Sequence, residues 1–89
     1  MTNAEIAAVL EQVADLLEFK DENPFRVRAY RNGARAIRDL TESVASIVAD
    51  NWERLLEIDG VGKAVAEKAT TLVRTGQLPQ LNELLAEIP

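Results

Sequence analysis

Chemistry has few places to reside in this chain, because its 89 residues include neither cysteine nor histidine. Thiolate nucleophiles, disulfides, the commonest general base and the commonest metal ligand are all absent together. What remains is suited to holding an anion. The segment Ile58-Asp59-Gly60-Val61-Gly62-Lys63 sets two glycines around one apolar residue, with a lysine next. Glycines let the backbone come close to a ligand, and a helix starting there presents unpaired amides and partial positive charge. Gly60 and Gly62 then clear the approach, Val61 plugs the turn into the core, and Lys63 adds a point charge. Such a segment can take a phosphate through the main chain without reading bases. A glycine-rich turn with no ligand is the plainer alternative. A mononucleotide cradle fits less well, since a Walker loop needs wider glycine spacing and a following Ser or Thr.

The second group is basic. Five arginines and no acid lie between Pro24 and Arg38: Arg26, Arg28, Arg31, Arg35 and Arg38. At about 100° per residue, the last four fall within one arc of roughly 80° on a helix. Phe25, Ala29, Gly33, Ala36, Ile37 and Leu40 occupy the opposite side and are expected to pack inward. Arg26 and Tyr30 sit four apart at the edge of that apolar arc. There a guanidinium fork and a tyrosine hydroxyl or ring face could meet a phosphate or a base. The arginine stripe reads equally as a solvated face paired with acids on a neighbouring helix.

Lys68 is the one residue with nucleophilic promise. It lies beside Val61, Val65 and Leu72 at the edge of a buried face, where desolvation would favour the neutral amine. Such a lysine could form a Schiff base with an aldehyde sugar. A snorkelling lysine, with its stem on the core and its head in water, is the alternative, and the residues favour it.

The elements that must position these groups are helices. Apolar residues make up 47% of the chain, with only 4% aromatics, and one modest core of aliphatic helix contacts follows. Thr2 or Asn3 caps a first helix buried through Ile6, Val9, Leu10, Val13, Leu16 and Leu17, with acids on its outer face. Asn23-Pro24 reads as a cap followed by proline at the first position of a second helix, reaching about Leu40. Thr41 is expected to cap a third helix through Val44, Ile47 and Val48. Asn51 breaks or caps the chain ahead of a short fourth helix at Trp52, Leu55 and Leu56. A fifth helix follows Gly62 and stops at Thr75-Gly76, and Leu78-Pro79 opens a last one. The expected fold is all-α, a compact bundle of about five to six short helices. Gly33, in mid-helix, is expected to permit a close helix crossing. No apolar run approaches the ~20 residues needed to span a bilayer, so no membrane partner is expected. The acidic N-terminus is unlike a signal peptide, and a cytoplasmic location is the default. The net charge of −5 opposes nucleic-acid binding unless the ten basic residues are concentrated in one place.

With those residues in view, the chain resembles a known family. NPFRVRAYRNGARAI, GVGKAVAEK and RTGQLPQLNELLAEIP, in that order and spacing, are similar to the N-terminal helix-hairpin-helix domain of family X DNA polymerases. The likeness is nearest to bacterial members that also carry a PHP phosphoesterase domain, and it runs from about Asn3 to Pro89. It implies one helix-hairpin-helix domain over residues 1–89, continuing into polymerase and PHP domains in the native chain and working near the nucleoid. It implies binding of gapped or 5′-phosphorylated duplex DNA in base excision repair, with no polymerase activity in these residues. Lys68 falls on the lysine that performs 5′-deoxyribose-phosphate lysis in beta-type members. Tyr30 falls on a tyrosine near the phosphate, and Arg26 replaces a phosphate-binding lysine. The carbonyls of Leu56, Ile58 and Val61 match those that hold a monovalent cation, K⁺ or Na⁺, when DNA is bound; no other cofactor is expected. The family's remaining phosphate-binding cations correspond here to Leu56, Ala64 and Gln80, with Lys63 placed to compensate for one. DNA binding therefore carries over more firmly than the lyase. A protein-interaction module using the acidic surface is the competing reading from another class.

Overall fold

The structure is a computed structural model and describes residues 1–88; Pro89 lies outside them. Five α-helices and one 3-10 helix succeed one another: α1 Asn3–Phe19, α2 Pro24–Asp39, α3 Val44–Asn51, the 3-10 helix Trp52–Glu57, α4 Lys63–Thr75 and α5 Pro79–Ala86. There is no strand among the described residues. The expected all-α bundle is what forms, with a Cα radius of gyration of 12.4 Å.

Local chemistry sets the helix limits. Thr2 caps α1 with a full capping box: its hydroxyl accepts from the Glu5 amide, and the Glu5 carboxylate accepts from the Thr2 amide. Asn3 does something else. Its side chain donates to the Glu42 carbonyl and accepts from the Val44 amide, each at 2.9 Å, tying the start of α1 to the start of α3. Asn23 caps α2 ahead of Pro24. Ser43, not Thr41, caps α3, because only Ser43 stands directly before the helix with its oxygen toward the Ser46 amide. Asn51 accepts from the Glu53 amide at the start of the 3-10 helix. Gly76, at φ 74°, ends α4 in the left-handed conformation that costs glycine least.

The core is aliphatic, with one tyrosine. Ile6, Leu10, Val13 and Leu17 of α1 meet Tyr30, Ala34 and Ile37 of α2, Val44 and Ile47 of α3, and Val65, Ala69 and Leu72 of α4. Gly33 is where α2 and α4 cross: a methyl there would stand 2.6 Å from a Val65 methyl, so the crossing requires glycine. Along α4, the hydroxyls of Thr70, Thr71 and Thr75 each donate to a carbonyl four residues back, on Ala66, Glu67 and Thr71.

α2 is rotated relative to the sequence expectation. Its buried residues are Val27, Tyr30, Gly33, Ala34 and Ile37. Phe25, expected inside, is 75% exposed, and Ala29 is exposed with it. Val27, Tyr30, Ala34 and Ile37 recur at three- and four-residue steps, and this stripe is the one that packs on α1 and α4. Arg38 pairs with Glu11, and Arg31 pairs with both Asp15 and Glu18, an antiparallel ladder between the two helices. Those exposed pairs flank the buried stripe along the α1–α2 seam.

Candidate nucleic-acid interface

The 3-10 helix and α4 are joined by five residues, Ile58 to Gly62, and this hairpin lies against α2. Gly60 has φ +92°, and a methyl on it would come 3.3 Å from the Ala36 Cβ and 3.4 Å from the Asn32 carbonyl oxygen. Glycine is needed there twice over, for the left-handed turn and for the contact. Val61 is buried, and its amide donates to the Ile58 carbonyl at 3.0 Å, closing the turn. Gly62 differs from Gly60. Its backbone is extended, a methyl on it would meet nothing within 4 Å, and it caps α4 with no side-chain hydrogen bond.

The first turn of α4 therefore starts bare. The first intrahelical bond closes from the Ala66 amide to the Gly62 carbonyl at 2.9 Å. The amides of Gly62, Lys63, Ala64 and Val65 have no acceptor among the described residues. Gly62, Lys63 and Ala64 are exposed. Open amides, a clear approach over Gly62 and a lysine at the first helical position are the features that an anion at a helix start requires.

The cations are sorted by location. Four of the ten make ion pairs among the described residues: Lys20 with Glu87, Arg31 and Arg38 with the acids of α1, and Arg54 with Glu42 and Asp50. The hydrogen bond that Arg31 donates to Asp15 raises the Arg31 pKa above its ordinary value, and the hydrogen bonds that Arg38 donates to Glu11 do the same for Arg38. The other six, Arg26, Arg28, Arg35, Lys63, Lys68 and Arg74, have no carboxylate within ion-pair distance among the described residues. All six are on α2 and α4, the helices that meet at the hairpin. An acidic chain thus keeps its unpaired positive charge on two helices, with Arg35 and Lys63 nearest the turn.

The sequence-derived site residues do not all share this place. Arg31 is engaged with α1, as in the solvated-face reading of the stripe. Arg35 lines a shallow groove with Asn32, Ala36, Asp39, Asp59 and Gly60, directly beside the hairpin. Arg28 lies over the Phe25 ring, 5.6 Å from its centroid. Tyr30 is only 2% exposed, so its ring offers no stacking face, and its hydroxyl donates to the Gln80 Oε1 at 3.1 Å. Arg26 is exposed on the first turn of α2. Lys68 is half-buried on α4, between Val65 and Leu72 along one face. Leu56 is exposed and Ile58 half-buried. Sequence reasoning missed exposed Phe25 next to Arg26. The spacing of Val27, Tyr30, Ala34 and Ile37, an apolar stripe that leaves Phe25 outside, is the signal that would have turned it outward. No group of three or more acidic side chains that could hold a metal ion occurs among the described residues.

Comparison with known proteins agrees with this architecture. Over all 89 residues the chain is 27% identical to the DNA polymerase/3′-5′ exonuclease PolX of Bacillus subtilis (strain 168), of whose length it spans 15%. Residues 1–78 match the helix-hairpin-helix domain family. Both findings support a DNA-binding role. The glycine turn, the bare start of α4 and the match over most of its length place the chain in one family: it belongs to the helix-hairpin-helix domains.

Proposed function

We propose that this chain is the DNA-binding module of a bacterial family X repair polymerase, and that it grips the sugar-phosphate backbone on the downstream, 5′-phosphate side of a short gap. One observation carries the reading: uncapped amides from Gly62 to Val65 sit beside Gly60 and Lys63, on a hairpin whose flanking helices α2 and α4 carry all six unpaired cations. Amides and Lys63 receive one phosphate; Arg26 and Arg28, beside the exposed Phe25 ring, extend the basic surface along α2. A contact of this kind is independent of base sequence and weakens as salt rises.

The hairpin also suits a monovalent cation bridging to DNA. The Val61 carbonyl accepts no hydrogen bond among the described residues, and the Ile58 carbonyl keeps a second lone pair after accepting from Val61. With the Leu56 carbonyl, these neutral oxygens match K⁺ or Na⁺, which add charge next to the phosphate. The polymerase and PHP domains would lie elsewhere in the native chain, consistent with the 15% of PolX that is spanned, and the setting would be the bacterial cytoplasm.

The test is fluorescence anisotropy of the 89-residue chain with a one-nucleotide gapped duplex, with and without the 5′-phosphate, over a KCl series. The phosphorylated gap should bind more tightly, and both affinities should fall as KCl rises. Equal affinity for the two duplexes would remove end recognition, and no binding at low salt would remove the DNA reading.

A further inference from the structure

The arginines of α2 do not form one surface. Arg31 and Arg38 lie about 20° apart around the helix and are held by α1, Arg38 at 2.6 Å from Glu11 and Arg31 at 2.9 Å from Asp15. Arg35 is some 40–60° further round, toward the side where Asn32 and Ala36 touch Gly60. It is exposed, it makes no ion pair among the described residues, and it shares its groove with the hairpin. Two carboxylates, Asp39 and Asp59, line the same groove, neither within ion-pair distance of Arg35.

We infer that Arg35 is the α2 residue that joins the hairpin in holding the DNA backbone, taking a second phosphate of the strand whose first phosphate sits on the α4 amides, whereas Arg31 and Arg38 serve only to clamp α1. This rests on the DNA-binding reading above and deepens it. The logic is electrostatic. A guanidinium already hydrogen-bonded to a carboxylate must give up that partner to meet a phosphate, so Arg31 and Arg38 gain little on DNA binding. Arg35 has no partner to surrender, and a phosphate in the groove supplies the anion for its planar fork. Asp39 and Asp59 oppose the phosphate and limit how far the strand enters, so the groove contributes a weak contact that one charge change can tune.

The salt dependence of binding separates these roles. Each phosphate neutralised on duplex DNA contributes about 0.9 to the slope of log affinity against log salt. Arg35→Ala should weaken gapped-duplex binding several-fold and reduce that slope by about 0.9. Arg35→Lys should keep the slope. Arg31→Ala and Arg38→Ala should lower the melting temperature and leave the slope unchanged. Asp59→Asn should raise affinity, because it removes a charge that shares the groove with the phosphate. An Arg35→Ala protein with the parental slope, or an Asp59→Asn protein with parental affinity, would overturn the inference. A parent chain that shows no salt-dependent binding would overturn the DNA reading itself, so the two failures are distinct.

Discussion

The Tyr30 hydroxyl donates to the Gln80 side chain at 3.1 Å, across fifty residues of sequence, and pins α5 to the middle of α2. The ring is 2% exposed, which makes Tyr30 a core residue with a polar tip. Tyr30→Phe should therefore cost about 1 kcal/mol of stability, the net worth of one such bond. Urea unfolding would measure it. Affinity for gapped DNA should stay at the parental value; a large loss of affinity without loss of stability would return the hydroxyl to the DNA surface.

Gly33 and Val65 make the opposite kind of pair, held by the absence of an atom. Alanine at Gly33 gains about 1 kcal/mol of helix propensity but puts its methyl 2.6 Å from a stiff, buried valine. Overpacking of this kind costs about 1–3 kcal/mol, so Gly33→Ala should be net destabilising by about 1 kcal/mol. Val65→Ala makes room. The double variant should be more stable than the two single losses predict, and a denaturation double-mutant cycle would show the coupling.

The two hairpin glycines should respond differently to the same substitution. Gly60→Ala strains a φ of +92° and presses on Asn32 and Ala36, so it should cost about 1–2 kcal/mol in thermal unfolding. Gly62→Ala meets nothing and should fold with nearly parental stability. On the proposed reading its methyl would occupy the approach that the phosphate takes, and gapped-duplex affinity should fall several-fold. Retained affinity in Gly62→Ala would move the phosphate away from this helix start.

Lys68 tests the catalytic expectation. It is half-buried on α4, and the positions expected to gather phosphate for it hold Leu56, Ala64 and Gln80, with Gln80 already bonded to Tyr30. Incubation with a 5′-deoxyribose-phosphate end and borohydride should trap no more adduct in the parent than in Lys68→Ala. An adduct lost on that substitution would assign lyase chemistry to the chain.

The capping box gives a pH signature. The Thr2 amide, donating to the Glu5 carboxylate at 2.8 Å, and then the Thr2 hydroxyl, hold the Glu5 carboxyl below its ordinary pKa. A carboxyl lowered in the folded state contributes stability above its unfolded pKa and loses it as pH falls through the folded value. Glu5→Gln removes this proton linkage. The melting-temperature advantage of the parent should be present at neutral pH and close in acid, and a gap of constant size would refute the linkage.

Much of the bundle was legible because its signals are local. Asn23-Pro24, Gly76 and the Ile6-to-Leu17 spacing act within one or two turns, and each marks an element that forms. The hairpin was legible for the same reason, since a glycine pair before a helix is a short-range pattern. The face of α2 was not. Phe25 and Ala29 belong to one apolar arc of α2, Val27, Tyr30, Ala34 and Ile37 to a neighbouring one, and contact with α1 decides which is buried. That information lies in the pairing of two helices. Tyr30 shows the same limit, because its partner Gln80 is fifty residues away.

The three threonines of α4 leave the helix with one receptive pole. Each hydroxyl is turned onto its own helix, so none of the three has a proton free for a passing phosphate. The unspent main-chain hydrogens are at the opposite end, beyond Gly62. A sugar-phosphate strand held by main-chain donors could rest on α4 only at that end, while Lys68 and Arg74 further along the helix add charge.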